Sequence, residues 1–497
     1  MTKPLYKFIE ELKKNNFLIS SNATEKEMPV KGITFNSRDV QDGFMFICKG
    51  AAFKEAYLQD AIKRGAVCFV KEEYLILESQ YDIPYIEVSD IRAAMPIIAR
   101  VFYGDVSSVL KVVGITGTKG KSTTTYYMKH ILDEFLGKRS SICSGIDTYD
   151  GVIDEASKLT TPENFDIYKH MYNSIESDIP YMTLEVSSQA LKYNRVDTIN
   201  LAVGCFLNIG EDHISDIEHP TYEDYFESKL KIIDNSNIFC YNLDCEEQEA
   251  IRERLKSDKK VVTFSHKNNN ANVFAYDIKS NEGKVTFTCR GRNIENYPDF
   301  EEEFTLGTFG LINVENALAA IAMSAALNIP IQFIKTGLEK TKVPGRMEVF
   351  RNGGKVVVVD FAHNGLSFTN FYINAQKEFP NKKIISVFGA TGGKAINRRK
   401  DLAEASSKYS SYIILTEDDP GKENPLDICN EMKQIIDAYN VPCEIILDRP
   451  EAIKKAISMM DDDTVLFLAG KGRDNKQKRN GSSVVIKSDI ETVNEFL

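Results

Sequence analysis

Gly114-Ile115-Thr116-Gly117-Thr118-Lys119-Gly120-Lys121-Ser122-Thr123 is the stretch whose reading decides the fold. In front of it, Val109–Ile115 is almost continuously apolar, as expected of a strand buried on both faces of a parallel sheet. Behind it, Met128, Ile131, Leu132, Phe135 and Leu136 fall on one helical face, and Gly137 is placed to stop that helix. A strand, a glycine-rich loop and a helix in this order form the setting of a phosphate-binding loop. Glycines let backbone N–H groups approach phosphate oxygens, and the helix N-terminus adds positive potential. Gly117, Thr118, Lys119 and Gly120 would form the cradle. Lys121 is placed to bridge the β- and γ-phosphates, with Ser122 or Thr123 placed to ligate Mg²⁺. The spacing is a variant, because Ile115 stands where the strict pattern has its first glycine. Such a loop specifies a nucleotide phosphate and leaves the reaction open.

Working outward, residues 1–106 carry short apolar runs at Phe44–Cys48, Ala66–Val70 and Ile83–Val88 between helical pieces, and read as a small α/β domain. Residues 107–342 alternate buried strands (Met182–Val186 and Leu201–Asn208 among them) with helical patterns such as Asn313–Ala326, and read as a larger domain with a mainly parallel sheet. Val343-Pro344-Gly345 is a turn into a third series, 343–497. Its strands are read at Lys355–Asp360, Lys383–Gly389, Tyr412–Glu417, Cys443–Leu447 and Thr464–Ala469, an alternation that predicts a Rossmann-like domain. The expected fold class is therefore α/β in three domains, which suits 497 residues.

Composition excludes several function classes. A hydrophobic share of 43% with 27% charged residues is that of a globular protein. No apolar run approaches a membrane span, and the N-terminal MTKPLYKFIEELKKNNF reads as an amphipathic helix instead of a signal peptide. Nine cysteines without metal-binding spacing fit reduced thiols in the cytoplasm. A net charge of −11 argues against non-specific attraction to nucleic acid or anionic membrane, so anionic small molecules would bind only at local cationic or magnesium-bearing sites.

Two further segments follow expected strands. Leu184-Glu185-Val186-Ser187-Ser188 carries Glu185, and Asn208-Ile209-Gly210-Glu211-Asp212-His213 carries His213. Residues beyond the carboxyl ends of parallel strands converge on one crevice, onto which the phosphate loop also opens. Glu185 and His213 there could hold a second Mg²⁺. Taken singly, Glu185 also reads as a surface carboxylate and His213 as a turn residue.

GITGTKGKST, TLEVSSQAL, NIGEDHISDIEHP, VPGRMEVF, VVDFAHN and LAGKGRD follow one another along the chain. As an ordered set they resemble the Mur ligases, over nearly the whole length from Ser37 onward. The resemblance implies a UDP-binding N-terminal domain, a central ATPase domain and a Rossmann-like C-terminal domain. It implies ATP and two Mg²⁺ as cofactors, with Lys121, Glu185, His213 and Lys229 as the catalytic set. Lys229 sits where the family carries a lysine carbamylated by CO₂, an N6-carboxylysine that orients metal beside Ser122, Glu185 and His213. Asn316, Arg346, Asp360 and His363 resemble contacts to adenosine and phosphates. Ser37, Thr160, Thr161, Ser187 and Arg195 resemble contacts to a UDP-muramoyl dipeptide. A cytoplasmic monomer with small-molecule substrates is expected.

The resemblance also bears on the incoming amino acid. Members that add meso-diaminopimelate show Asp-Asn-Pro-Arg at the selecting turn, where the Arg grips the distal carboxylate. This chain has Asp418-Asp419-Pro420-Gly421. An anionic turn without a guanidinium suits a side chain that ends in an ammonium. The turn resembles that of the branch adding L-lysine, as do Gln189 after Ser-Ser and the Ile217–Pro220 stretch. Asp474 would be a second acidic contact where many relatives have Glu, and Lys394 would hold the α-carboxylate. Gly421 departs from the Asn common in that branch, so ornithine and meso-diaminopimelate stay as alternatives. So do a ligase for another acceptor, of the polyglutamate type, and a nucleotide-binding partner without turnover.

Overall fold

A computed structural model describes residues 1–25, 27–50, 53–77, 80–211, 214–215, 218–281, 284–393 and 396–497. The chain forms two compact units. The first comprises Met1–Phe274, Arg290–Phe300 and Leu318–Gly337, and the second Ala275–Cys289, Glu301–Ala317 and Leu338–Leu497.

The first unit holds two sheets. Leu18–Ser21, Tyr85–Val88, Ala66–Glu72, Phe44–Ile47 and Gly32–Thr34 lie side by side in that order. The larger sheet places Ser141–Cys143, Tyr181–Glu185, Lys111–Thr116, Leu201–Phe206, Ser236–Asn242 and Lys260–Ser265 in adjacent parallel register. Five of the six residues of Lys111–Thr116 and all five of Tyr181–Glu185 are buried, which explains their largely apolar character. The strand and helix bounds coincide with the sequence reading or differ from it by no more than two residues at an end. The helix Lys121–Leu136 starts at Gly120, in the left-handed region at φ +85°, and ends at Gly137 at φ +65°.

The first 106 residues do not pack apart from the phosphate-loop sheet. One apolar cluster runs from Leu5 and Phe8 through Ile98 and Phe102 to Val112, Tyr168 and Leu184. The helix Ile91–Tyr103 packs on the helix Asn164–Glu176, with Tyr103 stacked on Tyr168 at 6.4 Å between ring centroids. This shared core has no apolar seam at residue 106.

The second unit carries a six-stranded sheet in the order Glu348–Asn352, Lys355–Asp360, Thr464–Ala469, Lys383–Phe388, Tyr412–Leu415, Cys443–Ile445. All neighbours are parallel except the first hairpin. Asp448 caps the helix Arg449–Ser458 by accepting from the Glu451 N–H at 3.0 Å. Ser488 and Glu491 form a capping box on the helix Asp489–Phe496. The two helices are joined by a buried pair: Arg449 Nε and Nη2 donate to the two carboxylate oxygens of Asp489 at 2.6 and 2.7 Å, and Nη2 also donates to the Ala469 carbonyl at 2.8 Å. Removing one partner of such a pair strands a charge in the core. Asp489→Ala is expected to cost about 3–5 kcal/mol in urea unfolding of this unit, and Arg449→Leu with Asp489→Leu should recover much of it. A loss below about 1 kcal/mol for Asp489→Ala would contradict this account.

Candidate active site

The order of the parallel strands makes a crevice. From Lys111–Thr116 the chain builds Ser141–Cys143 and Tyr181–Glu185 on one side, then crosses to build Leu201–Phe206 and the strands after it on the other. Such a switch point is where an open α/β sheet receives its ligand, beyond the strand carboxyl ends. Three segments meet there: the phosphate loop, Glu185 at the end of one neighbouring strand, and Asn208 just past the other.

Asn208 fastens the loop. Its Oδ1 accepts from the Thr118 and Lys119 N–H groups at 3.1 and 2.9 Å, and its Nδ2 donates to the Lys119 carbonyl at 3.1 Å. Gly117 is required by closeness, since a Cβ there would meet Leu207 Cβ at 2.9 Å. The Thr118 hydroxyl lies 3.0 Å from the Tyr225 hydroxyl and accepts from the Gly210 N–H at 3.1 Å. Lys121 Nζ folds over the loop and donates to the Gly117 and Thr118 carbonyls at 3.0 and 3.2 Å.

Ser122 Oγ donates to the two oxygens of Glu185 at 3.2 and 3.0 Å, and the Gly145 N–H donates to Oε2 at 2.8 Å. Glu185 is only 3% exposed, so it is no surface carboxylate. Lys229, 1% exposed, donates from Nζ to the Gly117 carbonyl at 2.8 Å and lies 4.8 Å from the Tyr225 ring centroid. Lys121, Ser122, Glu185 and Lys229 are thus brought together. His213 lies outside the described residues.

A cavity of about 260 Å³ adjoins this cluster, and Lys121 and Lys229 form one side of it. Thr160, Thr161, Ser187 and Arg195 line it too. Thr161 Oγ1 accepts from the Ser187 N–H at 2.9 Å and lies 2.8 Å from the Glu185 carbonyl, to which it donates. Arg195 Nη1 donates to the Thr161 carbonyl at 3.0 Å, while its Nη2 pairs with Glu163 at 2.9 Å. Lys49 pairs with the same Glu163. Ser37 is away from this lining, buried in the short turn Ser37–Asp39 that follows the strand Gly32–Thr34.

The remaining candidates belong to the second unit. Asn316 Nδ2 donates to Asn313 Oδ1 at 3.0 Å on the helix Asn313–Ala326. Asp360 ends its strand and accepts from the Met347 and Ala362 N–H groups at 2.8 and 2.7 Å. Burial pushes its pKa up against the pull of Arg346, whose guanidinium lies 5.1 Å from the Phe361 ring. His363 is exposed, with Nδ1 2.8 Å from the Phe361 carbonyl.

Asp418, Asp419 and Asp474 do come together, around a residue that sequence reasoning missed. Lys471, nearly fully buried, donates to Asp419 Oδ1 at 3.0 Å and Asp474 Oδ2 at 2.7 Å. Asp418 is buried, and Gly470 at φ +107° leaves it room, since a Cβ there would stand 2.9 Å from its Oδ2. Pro420 leads into Gly421, in the left-handed region at φ +63°. Lys394 lies outside the described residues. Asn208 and Lys471 sit inside quoted segments and Tyr225 stands four residues before Lys229, yet only spatial pairing reveals their part.

Fold and site together define a nucleotide-phosphate-binding α/β protein of the strand–loop–helix kind. Residues 115–324 match the Mur ligase middle domain, and residues 345–472 match the Mur ligase glutamate ligase domain. UDP-N-acetylmuramoyl-L-alanyl-D-glutamate–L-lysine ligases of Enterococcus faecalis and Streptococcus sanguinis are each 36% identical, covering 94% of this chain and 92% of the relative. Among solved structures, a UDP-N-acetylmuramoyl-L-alanyl-D-glutamate–2,6-diaminopimelate ligase superposes with a TM-score of 0.68 at 23% identity, over 100% of this chain and 99% of the other. A folylpolyglutamate synthase from Thermotoga maritima gives 0.57 at 17% identity, over 76% and 89%. The chain belongs to the Mur ligase family. No helix among the described residues is long and apolar enough to cross a membrane.

The Asn208 clamp yields a prediction. Asn208→Ala removes two acceptor contacts and one donor contact from the loop, a loss of about 1–3 kcal/mol. Nucleoside triphosphate affinity should fall about tenfold by calorimetry while the melting temperature moves little. Unchanged affinity would show that the loop holds its shape without the clamp.

Proposed function

We propose that this chain is an ATP-dependent ligase that adds L-lysine to the D-glutamyl γ-carboxylate of UDP-N-acetylmuramoyl-L-alanyl-D-glutamate, in cytoplasmic synthesis of peptidoglycan precursors. The observation that carries this reading is the shared wall. Lys121 and Lys229 belong both to the phosphate-loop cluster and to the cavity of Thr160, Thr161, Ser187 and Arg195. A phosphoryl donor and a carboxylate acceptor would therefore meet at one edge.

In this reading the loop N–H groups and Lys121 hold the γ-phosphate, and its charge is neutralised as it transfers to the carboxylate. Arg195 and the Thr160–Thr161 pair hold the muramoyl dipeptide, with Ser37 reaching the uridine. The acyl phosphate is then attacked by the α-amine of lysine, and phosphate leaves as the amide forms. Residues 1–106, 107–342 and 343–497 act as three functional modules, for the UDP-sugar, for ATP and for the amino acid. Asn316, Arg346, Asp360 and His363 are assigned to nucleotide recognition.

The donor set fits magnesium. Ser122 and Glu185 present hard oxygens side by side, and Glu185 is pinned by Gly145. These two residues, with His213 and a Lys229 carbamate, would hold Mg²⁺, which when bound neutralises phosphate charge. A carbamate fits at Lys229 because its nitrogen keeps one N–H, enough to preserve the bond to Gly117. For the amino acid, Lys394 would take the lysine α-carboxylate, and Asp418, Asp419, Pro420, Gly421 and Asp474 would shape the pocket for the distal ammonium.

Two experiments test the reading. With UDP-muramoyl dipeptide, ATP and Mg²⁺, ADP release should need both dipeptide and amino acid, and lysine should exceed ornithine and meso-diaminopimelate by at least tenfold in kcat/KM. Release that needs neither substrate would exclude the ligase. Lys229→Ala should lower kcat by about a hundredfold or more, with partial rescue by formate or acetate. An unaffected rate would remove the carbamate from the mechanism.

A further inference from the structure

A buried histidine lies beside the cavity and takes no part in the mechanism above. His219 is fully buried. Its Nε2 lies 3.0 Å from Ser188 Oγ, and its Nδ1 lies 2.6 Å from Asp224 Oδ2. Ser188 is itself a lining residue of the cavity that Lys121 and Thr161 face. The Tyr225 ring stands edge-on to the imidazole at 5.1 Å between centroids, and its hydroxyl reaches Thr118 of the phosphate loop. Lys192 Nζ donates to Asp224 Oδ2 at 2.6 Å and to the Glu218 carbonyl at 3.0 Å.

The geometry points to Ser188, His219 and Asp224 as a proton relay that takes the proton from the attacking amine. The inference rests on the ligase reading above. Asp224 accepts from Nδ1–H and so fixes the tautomer in which Nε2 carries a lone pair. Nε2 then accepts the Ser188 O–H, which turns the hydroxyl lone pairs toward the cavity. Burial pushes the imidazole below its ordinary pKa, against the pull of Asp224, so it is neutral and able to accept. Burial raises the Asp224 pKa, but the hydrogen bonds from Lys192 and His219 outweigh it, so that carboxylate stays ionised.

The step balances. The free-base amine forms its C–N bond with the acyl carbon and passes one N–H proton to Ser188 Oγ. The Ser188 hydroxyl proton moves to His219 Nε2, and the imidazolium faces the Asp224 carboxylate. The C–O bond to phosphate then breaks, phosphate leaves with the electron pair, and the proton returns through Ser188 to the departing phosphate. Ser188 is the catalytic residue of the three; His219 and Asp224 position and poise it.

Hydroxylamine separates the relay from mere structure. It is a weakly basic amine that traps acyl phosphates as hydroxamates, and its adduct is acidic enough to lose its proton to water. The full-length chain and its Ser188→Ala, His219→Gln and Asp224→Asn variants would be assayed with UDP-muramoyl dipeptide, ATP and Mg²⁺, with either lysine or hydroxylamine as nucleophile. The expected result is a fall of at least thirtyfold in kcat with lysine and less than threefold in hydroxamate formation, with KM for the dipeptide nearly constant. A parallel fall with both nucleophiles, or no fall with lysine, overturns the relay. Ser188→Ala and Asp224→Asn keep the test decisive if the buried His219 variant fails to fold. A wild-type chain that makes hydroxamate but no lysine adduct overturns the choice of amino acid and not the relay, which ornithine or diaminopimelate then tests.

Discussion

Two lysine ammonium groups converge on one carbonyl oxygen, that of Gly117, and the chemistry proposed for the first unit depends on this arrangement. Two unit charges, each within 3.0 Å of the same oxygen, repel by about 3 kcal/mol or more at an effective dielectric near 20. The fold tolerates this because each cation is tied to loop backbone, and because Glu185 sits across the helix start on Ser122. Anions relieve the repulsion. A triphosphate would bring several negative oxygens to the loop, and the carbamate proposed at Lys229 would turn that side chain from cation to anion. Under the proposed reading, triphosphate binding and carbamylation would act on the same unfavourable term.

The arrangement holds its shape because its parts hang on neighbouring strands of one sheet. The phosphate loop leaves the central strand, Glu185 ends the strand on one side, and Asn208 follows the strand on the other. Each segment is then tied across. Asn208 grips the loop, Gly145 grips Glu185, and Thr161 links the Glu185 carbonyl to Ser187. Peptide N–H groups and hydroxyls supply most of these ties, so the cluster keeps its positive character while staying in register.

How much of this was legible in the sequence follows from the range of each interaction. The strand Lys111–Thr116 and its helix were readable because burial on both faces and glycine stops are local signals. Lys355–Asp360 and Thr464–Ala469 were readable for the same reason, with bounds identical to those expected. The strands Val273–Asn281, Lys284–Gly291 and Phe300–Leu306 were not read, since charged and polar residues interrupt their apolar alternation. A boundary at residue 106 was expected from a change in character, whereas the core crosses it, because apolar contact between helices leaves no mark on a linear sequence. In the site, Lys121 and Glu185 came from motif and strand placement. The pairing of Ser188 with His219, 31 residues apart, and of Asp419 with Lys471, 52 apart, depends on tertiary approach that no spacing encodes.

The last of these pairs bears on the proposed amino-acid pocket. A cluster of three aspartates suggests a strongly negative pocket, but Lys471 already sits between Asp419 and Asp474. Arg449 is committed to Asp489, and Arg479 pairs with Glu417. That leaves Asp418, whose carboxyl is buried and pushed up in pKa by desolvation, with Arg449 and Lys471 opposing. An incoming ammonium would favour its ionised form, so ligand charge and Asp418 ionisation are linked. A side chain ending in carboxylate would instead oppose that ionisation and meet Asp419 and Asp474 as well. Discrimination would then come as much from the cost imposed on the wrong ligand as from attraction for the right one, with Lys471 setting how large that cost is.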